Sequence, residues 1–421
     1  MRKRFLLAGG AVLIVLVAAV AAYVAVKQRQ ARDVHGSRTV EFVTTAEPVV
    51  QKPKEPGVLW ETYGYDEARG RVAPYRLKPP FRELWKFRAQ ALVEFPPVIA
   101  FGRLYFAAND GDVFAINATT GKRAWKRRTG RCQAASPAVA GRLVFIPFMN
   151  YHPCNRKKTK GLGGQLVAYY AGSGERRWTR STGPTESSPV VDRGYVYTAD
   201  WNGRVWSFAG STGRVRWVKR VSTSKLKGAV AISGNRLYVG DYSGHLYALD
   251  VRTGKTIWRG SSQGRLGGRG QFYSTPAAAY GRVYIGNTDG KLYSFVASNG
   301  RIAWTHTIDG WVYGSPAVWN GLVFDTGYDG NFQAMDARTG AVRWSTRLPY
   351  ITTSSPTVIG RYVYVASHGA SGKSGNLWAF DPRTGRKVWH FNDGWYSTVA
   401  TAGPKELVVT GPRHLYLLRS R

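Results

Sequence analysis

Residues 228–258 read GAVAISGNRLYVGDYSGHLYALDVRTGKTIW. An alternating run ends at a small turn around Ser233-Gly234, and a second strand follows from Arg236 to Gly240. Asp241-Tyr242-Ser243-Gly244 spells a tight hairpin, with glycine supplying the positive φ that such turns need. A third strand runs from His245 to Leu249, Thr253-Gly254 closes another turn, and a fourth strand ends on Trp258. Four short antiparallel strands in about 40 residues make one blade of a β-propeller.

The same signals recur along the chain. The closing tryptophan returns at Trp125, Trp178, Trp217, Trp258, Trp304, Trp344 and Trp389, with 41 residues from Trp217 to Trp258 and 40 from Trp304 to Trp344. A glycine turn precedes each of them, at Gly121, Gly174, Gly213, Gly254, Gly300, Gly340 and Gly385. Pro97, Pro137, Pro189, Pro276, Pro316 and Pro356 mark opening strands. Seven complete units therefore run from about Phe95 to Trp389. Ser397 to Leu418 supplies three further strands and no fourth, while Glu83-Leu84-Trp85-Lys86-Phe87 is a fourth strand without partners. Pairing the early strand with the late three completes an eighth blade and removes the exposed edge of an open sheet. The expected fold is all-β, an eight-bladed β-propeller of four-stranded antiparallel blades, preceded by one transmembrane helix.

Ala248-Leu249-Asp250 with Thr253-Gly254-Lys255 and Trp258 resembles the tryptophan-docking repeat of the pyrroloquinoline-quinone-like (quinoprotein-type) propeller family. Ala334-Met335-Asp336 with Thr339-Gly340 and Trp344, and Ala379-Phe380-Asp381 with Thr384-Gly385 and Trp389, match equally well. The resemblance covers residues 83 to 418. It implies that Trp85 and the seven recurring tryptophans each stack between neighbouring blades and lock the ring. Removing one should cost about 3–5 kcal/mol, the usual range for a buried Trp→Ala. Quinone-dependent dehydrogenases of this family carry an adjacent Cys–Cys disulfide over the cofactor, Ca²⁺ held by Glu and Asn, and a catalytic Asp. This chain has only Cys132 and Cys154, which are not adjacent. The resemblance thus points to the non-catalytic, BamB-like scaffold branch, with no cofactor, metal or catalytic residue expected. The chain departs from that branch in lacking a lipid-anchor cysteine.

Arg2, Lys3 and Arg4 precede an apolar run from Phe5 to Val26, long enough for a bilayer, which takes about 20 helical residues. The basic cluster favours a cytoplasmic N-terminus, although Lys27, Arg29 and Arg32 lie beyond the run. A cleaved signal peptide, cut near Ala19-Val20-Ala21, is the alternative. Residues 1–32 are read as cytoplasmic tip and signal anchor, 33–80 as a Pro-containing extracytoplasmic tether, and 81–421 as the propeller. Within the tether, Trp60 to Asp66 is aromatic enough to dock on the domain that follows.

In a four-strand blade the second-to-third-strand loop and the blade-to-blade loop open on one face. Inserts from about Phe148 to Gly164 and from His368 to Asn376 enlarge that face. It should carry Glu94, Glu186, Tyr273, Trp311, Tyr313, Trp395 and Tyr396 at a funnel mouth, where aromatics could stack on sugar rings or grip a peptide. Cys132 and Cys154 fall on the same face, and an exported chain with two cysteines usually pairs them. Gly369 to Ser374 looks like a phosphate loop but lacks the glycine and the helix that such a loop needs. Seven histidines show no metal-ligand spacing.

The formal charge is +35, which suits anionic partners. It is uneven: residues 121–180 hold fourteen basic residues against Glu175 alone, while residues 281–345 balance. Lys126, Arg127, Arg128, Arg131, Arg156, Lys157, Lys158 and Lys160 are therefore expected to bind a polyanion, acidic lipid or wall polymer rather than nucleic acid. The expected function is a membrane-anchored extracytoplasmic scaffold for an envelope protein or anionic envelope polymer. A quinone-dependent oxidoreductase and a carbohydrate-binding module are the alternatives.

Overall fold

The computed structural model describes residues 2–36, 42–43, 54–152, 154, 163–264, 268–370, 375–395 and 399–421. One helix, Arg2–Gln30, precedes eight antiparallel blades. Blade 4, read first above, is Ala231–Ser233, Arg236–Gly240, His245–Asp250 and Thr256–Ser261. Its innermost strand is the shortest because strands crowd toward the ring axis. Blade 8 is the seam: Ala400–Gly403, Glu406–Thr410 and His414–Ser420 take Phe81–Arg88 as their outermost strand. Lys86 pairs with Tyr416 and Phe87 with Leu415 there.

The repeat motif has a physical reason at each position. In blade 4, Trp258 pairs across the sheet with Ala248, and the register slips by one residue immediately afterwards. Ala or Ser stands opposite the closing tryptophan in each of the other six repeats, as in Ala115↔Trp125 and Ser294↔Trp304. A small side chain leaves the indole free to lean toward the next blade. Asp250 Oδ1 accepts from the backbone of Arg252 and Thr253 and from the Thr253 hydroxyl, which shapes the Thr253-Gly254 turn. The indole of each docking tryptophan then donates to a carbonyl in the following blade, as Trp125 Nε1 does to Ala171 and Trp304 Nε1 to Ala337, both at 3.0 Å. Trp389 departs from this pattern, packing edge-on against Phe81 across the seam.

The segment read as a tether is not one beyond residue 54. Val58–Trp60 joins the inner edge of blade 1, and Val72–Ala73 runs parallel to the inner strand of blade 7. Between them Glu61, Glu67, Ala68 and Gly70 accept backbone hydrogen bonds from Val139, Ile232, Ala278 and Val318, the inner strands of blades 2, 4, 5 and 6. Thr62 donates to the Pro189 carbonyl at the start of blade 3. The chain thus climbs into the ring axis and descends again, filling the channel. Trp60, Arg69 and Arg71 are buried there. The docking expected of Trp60 to Asp66 is present, but the propeller incorporates residues well before the boundary expected at 81. The reason is the unpaired inner edge that every blade leaves on the axis, which an extended segment can satisfy with its own peptide groups.

Residues 31–36 also lie against the ring. Val34 and Thr305 exchange hydrogen bonds along the outer strand of blade 5, and the Asp33 carboxylate accepts from Thr307. Below, the Phe42 ring stacks on Tyr280.

Candidate functional site

The face carrying the second-to-third-strand hairpins and the blade-to-blade crossings is built on a belt of hydroxyls. Ser315 N donates to Ser355 Oγ, Thr275 N to Ser315 Oγ, and Ser136 N to Ser188 Oγ. Each belt residue precedes the proline that opens its blade, and proline's fixed φ sets the turn into the inner strand. The belt holds the crossings, and the crossings carry the mouth.

Glu186 and Tyr273 come together around a residue that the sequence reading missed. Lys227 Nζ lies 3.0 Å from Glu186 Oε2, with both side chains almost fully buried. The ammonium also faces the rings of Trp201, Tyr242 and Tyr273 at 4.6, 5.4 and 5.6 Å. Tyr273 meets Tyr313, which meets Trp311 and Tyr328, so one aromatic arc spans blades 3 to 6. The cation occupies the cup that the aromatics form, which seals blades 3 and 4 with a desolvated cation–π contact. Trp201, Tyr242 and Tyr328 each stand just before an Asn-Gly, Ser-Gly or Asp-Gly turn. An aromatic at that hairpin position was the available signal.

The other mouth residues stand apart. Glu94 accepts from Asn109 Nδ2 at 3.2 Å. Trp395 lies 4.9 Å from the His368 ring, whose imidazole burial holds below its ordinary pKa. Tyr396 falls outside the described residues, as do Ser371 to Ser374 of the phosphate-loop-like stretch. Between blades 6 and 7 an open cavity of about 430 Å³ is lined by Asp329, Arg347, Tyr350, Ile351 and His368 among others.

Cys132 and Cys154 form a disulfide, which ties the blade-2 insert to the crossing before it. His152, in the insert, brings Nδ1 to 3.3 Å from Cys154 Sγ. Cys132, His152 and Cys154 lie close enough together for a metal ion, a grouping that histidine spacing alone did not reveal. Both sulfurs are committed to the disulfide.

Part of the basic cluster is spent on the fold. Arg127 Nε and Nη2 donate to the carbonyls of Gly174 and Ser173 in blade 2, clamping two blades. Arg180 repeats this on Gly213 and Thr212 of blade 3. Arg131 is buried, donates to the carbonyls of Met149 and Gly163, and lies 3.9 Å from the Tyr151 ring. Lys126 pairs with Asp112 at 2.5 Å. These guanidinium groups satisfy carbonyls where blades and insert meet, so part of the charge excess serves the fold. Arg128 is exposed. Arg156, Lys157, Lys158 and Lys160 lie outside the described residues.

A quinone would need a flat slot on the ring axis and a set of oxygen donors for its calcium. The axis instead holds the chain's own Tyr63, Arg69 and Arg71, all buried. Arg69 donates to the carbonyls of Val230, Ser188 and Pro189, and Arg71 to that of Pro356. Glu186, an acid at the mouth, is paired with Lys227. These residues do not fit the group.

The family model described as outer membrane protein assembly factor BamB matches residues 81–259 and 254–392. Among curated relatives, a BamB of Burkholderia pseudomallei is 28% identical over 173 residues, 39% of this chain and 41% of that protein. A tetrathionate hydrolase of Acidithiobacillus ferrooxidans is 25% identical over 201 residues, 44% of this chain and 40% of that protein. The chain thus spans about two fifths of the length of these relatives. Among solved structures, BamB from Moraxella catarrhalis superposes with a TM-score of 0.65 at 16% identity, over 81% of this chain and 100% of that one. Quinohemoprotein alcohol dehydrogenase from Comamonas testosteroni gives 0.70 at 14% identity, over 89% and 81%. At such identities the structures share the fold.

Proposed function

The chain belongs to the family of outer membrane protein assembly factor BamB, and from that premise we propose that it is a non-catalytic scaffold, anchored by its N-terminal helix, whose loop face engages an envelope protein on the extracytoplasmic side. The observation that carries this reading is the closed mouth. The axis is filled by residues 58–73, and the aromatic cup is filled by Lys227. What the face offers a partner is its rim of loops, stiffened by the disulfide and the hydroxyl belt. Such a surface suits a macromolecule more than a small substrate, which needs a concave pocket that buries most of it.

The test is in-cell photo-crosslinking. A photoreactive residue at Arg128 or Tyr151, on the loop face of blades 1 and 2, should capture a discrete envelope protein. The same residue at Arg142, on the opposite face, should not. Capture from both faces alike, or from neither, overturns the reading. The tetrathionate hydrolase among the relatives leaves an enzyme as the second reading; titrating the purified protein with pyrroloquinoline quinone and Ca²⁺ should give no saturable spectral change, whereas binding coupled to alcohol oxidation would establish the oxidoreductase. A glycan array decides the carbohydrate-binding alternative.

A further inference from the structure

The N-terminal helix does not lead into a free linker. From Leu13 onward it stands clear of the propeller, and one residue after its end the chain is gripped. Lys291 Nζ donates to the Ala31 carbonyl and to Gln263 Oε1, and it pairs with Asp33 at 3.0 Å. The lysine side chain is 1% exposed. The Gln263 side-chain amide donates to the Arg32 carbonyl, and Asp33 and Val34 are bonded to Thr307 and Thr305. Lys291 begins a third strand and Thr307 ends a fourth strand. Both positions lie on the loop face. The grip is therefore at the loop-face rim of blade 5.

Distance along the helix then sets where that rim sits. The apolar run ends at Val26, and the four further residues of helix to Gln30 rise about 6 Å. The polar layer on each side of a bilayer's hydrocarbon core is about as thick. A helix that crosses the membrane thus holds the blade-5 rim at headgroup depth. The side chains at that rim have the chemistry of the layer. Trp311 lies in the crossing four residues after Thr307 and is 52% exposed. Tyr350 and Ile351, in the next crossing, are both 37% exposed. Arg347 beside them is mostly exposed, its guanidinium 3.9 Å from the Asp329 carboxylate. Arg32 and Arg269 are exposed as well, as is Asp309. Indole and phenol rings concentrate at membrane–water interfaces, and arginine complements lipid phosphate.

We propose that the propeller is clamped with the loop face of blades 5 to 7 against the bilayer that its own helix crosses, Trp311, Tyr350, Ile351 and Arg347 lying in the phospholipid headgroup layer. This rests on the anchored reading above. It leaves the loop face of blades 1 to 3 raised from the membrane and open to the protein partner.

The test uses the full chain, its disulfide intact, reconstituted into phosphatidylcholine–phosphatidylglycerol vesicles. An environment-sensitive fluorophore is attached to a cysteine placed singly at Trp311, Ile351, Asn320 or Tyr170, the last two on the opposite face. Lipid spin-labelled at the headgroup should quench the probe at 311 and 351 several-fold more than at 320 and 170. Asp33→Ala, which loosens the grip without touching the ring, should reduce that difference while the protein still floats with the vesicles. Flotation with equal quenching on both faces, or with none, overturns the clamp alone. Failure to float overturns the anchored reading, and the clamp with it.

Discussion

Single residues show how tightly the repeat is packed at its turns. Gly254 has φ +71°, and a Cβ built there would lie 2.7 Å from the Trp217 ring. The equivalent glycine of every other complete blade faces the preceding tryptophan in the same way, Gly300 against Trp258 at 2.4 Å being the tightest. Glycine is thus needed twice, for a left-handed turn and for the flat approach of an indole. Gly254→Ala should lose about 1–2 kcal/mol from the turn alone, and more from displacing Trp217. Chemical denaturation checks this, and an unchanged midpoint refutes it. Asp66, in the axial segment, makes a pH-dependent contribution. Burial raises its carboxyl pKa to about 6 from 3.8, against the pull of Lys54. Well below pH 3.8 the group is protonated whether the protein is folded or not, so its burial carries no charge penalty. As pH rises toward 6 and beyond, the unfolded chain ionises first and the folded state is disfavoured. The shift corresponds to about 3 kcal/mol. Asp66→Asn keeps an oxygen for Gly70 N, which Asp66 Oδ1 accepts at 3.3 Å. That variant should flatten the stability profile between pH 4 and 6 and unfold later than the parent at pH 7; a variant less stable than the parent at pH 7 contradicts this account.

At the scale of elements, the basic segment around blades 1 and 2 separates into two jobs. Arg127 and Arg180 stand two residues after their tryptophans and bind carbonyls of the next blade's turn. The corresponding position is Gly260 in blade 4 and Thr346 in blade 6, so the arginine is a local choice and explains part of the charge asymmetry. Arg127→Ala should therefore destabilise the protein, by about 1–3 kcal/mol for two carbonyls left without their charged donor, and should leave anion binding unchanged. Reversing Arg128, Lys157 and Lys158 to Glu should have the opposite profile. Thermal stability stays, while any affinity for anionic wall polymer or acidic vesicles falls, and that affinity should already be salt-sensitive because exposed charges are screened beyond about 8 Å. Sedimentation with each polyanion at low and high salt reads both variants. Binding that survives the triple reversal would remove the polyanion role from this cluster. The charge count alone could not divide these roles, because a guanidinium spent on a carbonyl and one facing water are the same letter in a sequence.

At the scale of the whole molecule, the axial segment makes the ring and its N-terminal approach one cooperative object. Trp60 and Tyr65 meet edge-on at 5.0 Å within the core that closes blades 7, 8 and 1. A chain starting at residue 31, which keeps both the blade-5 grip and the axial segment, should fold and melt as the full chain does, whereas one starting at residue 81 should melt well below it and expose apolar surface to dye; equal melting of the two would show these segments to be dispensable. What the sequence by itself determined is the repeat: blade number, the seam between Glu83–Phe87 and the C-terminal strands, the docking tryptophans, and the cysteine pair. These are legible because each blade states its own turns and alternation within some 40 residues, and counting them closes the ring. Tertiary structure alone decided that residues 58–73 fill the axis, that Lys227 occupies the aromatic cup, that Arg127 and Arg131 serve the fold, and that residues 31–36 grip blade 5. Each of those depends on groups far apart in the chain, and each is settled by which buried carbonyl, carboxylate or ring lacks a partner once the ring has closed. Local pattern cannot express that condition, since it exists only when all eight blades are in place.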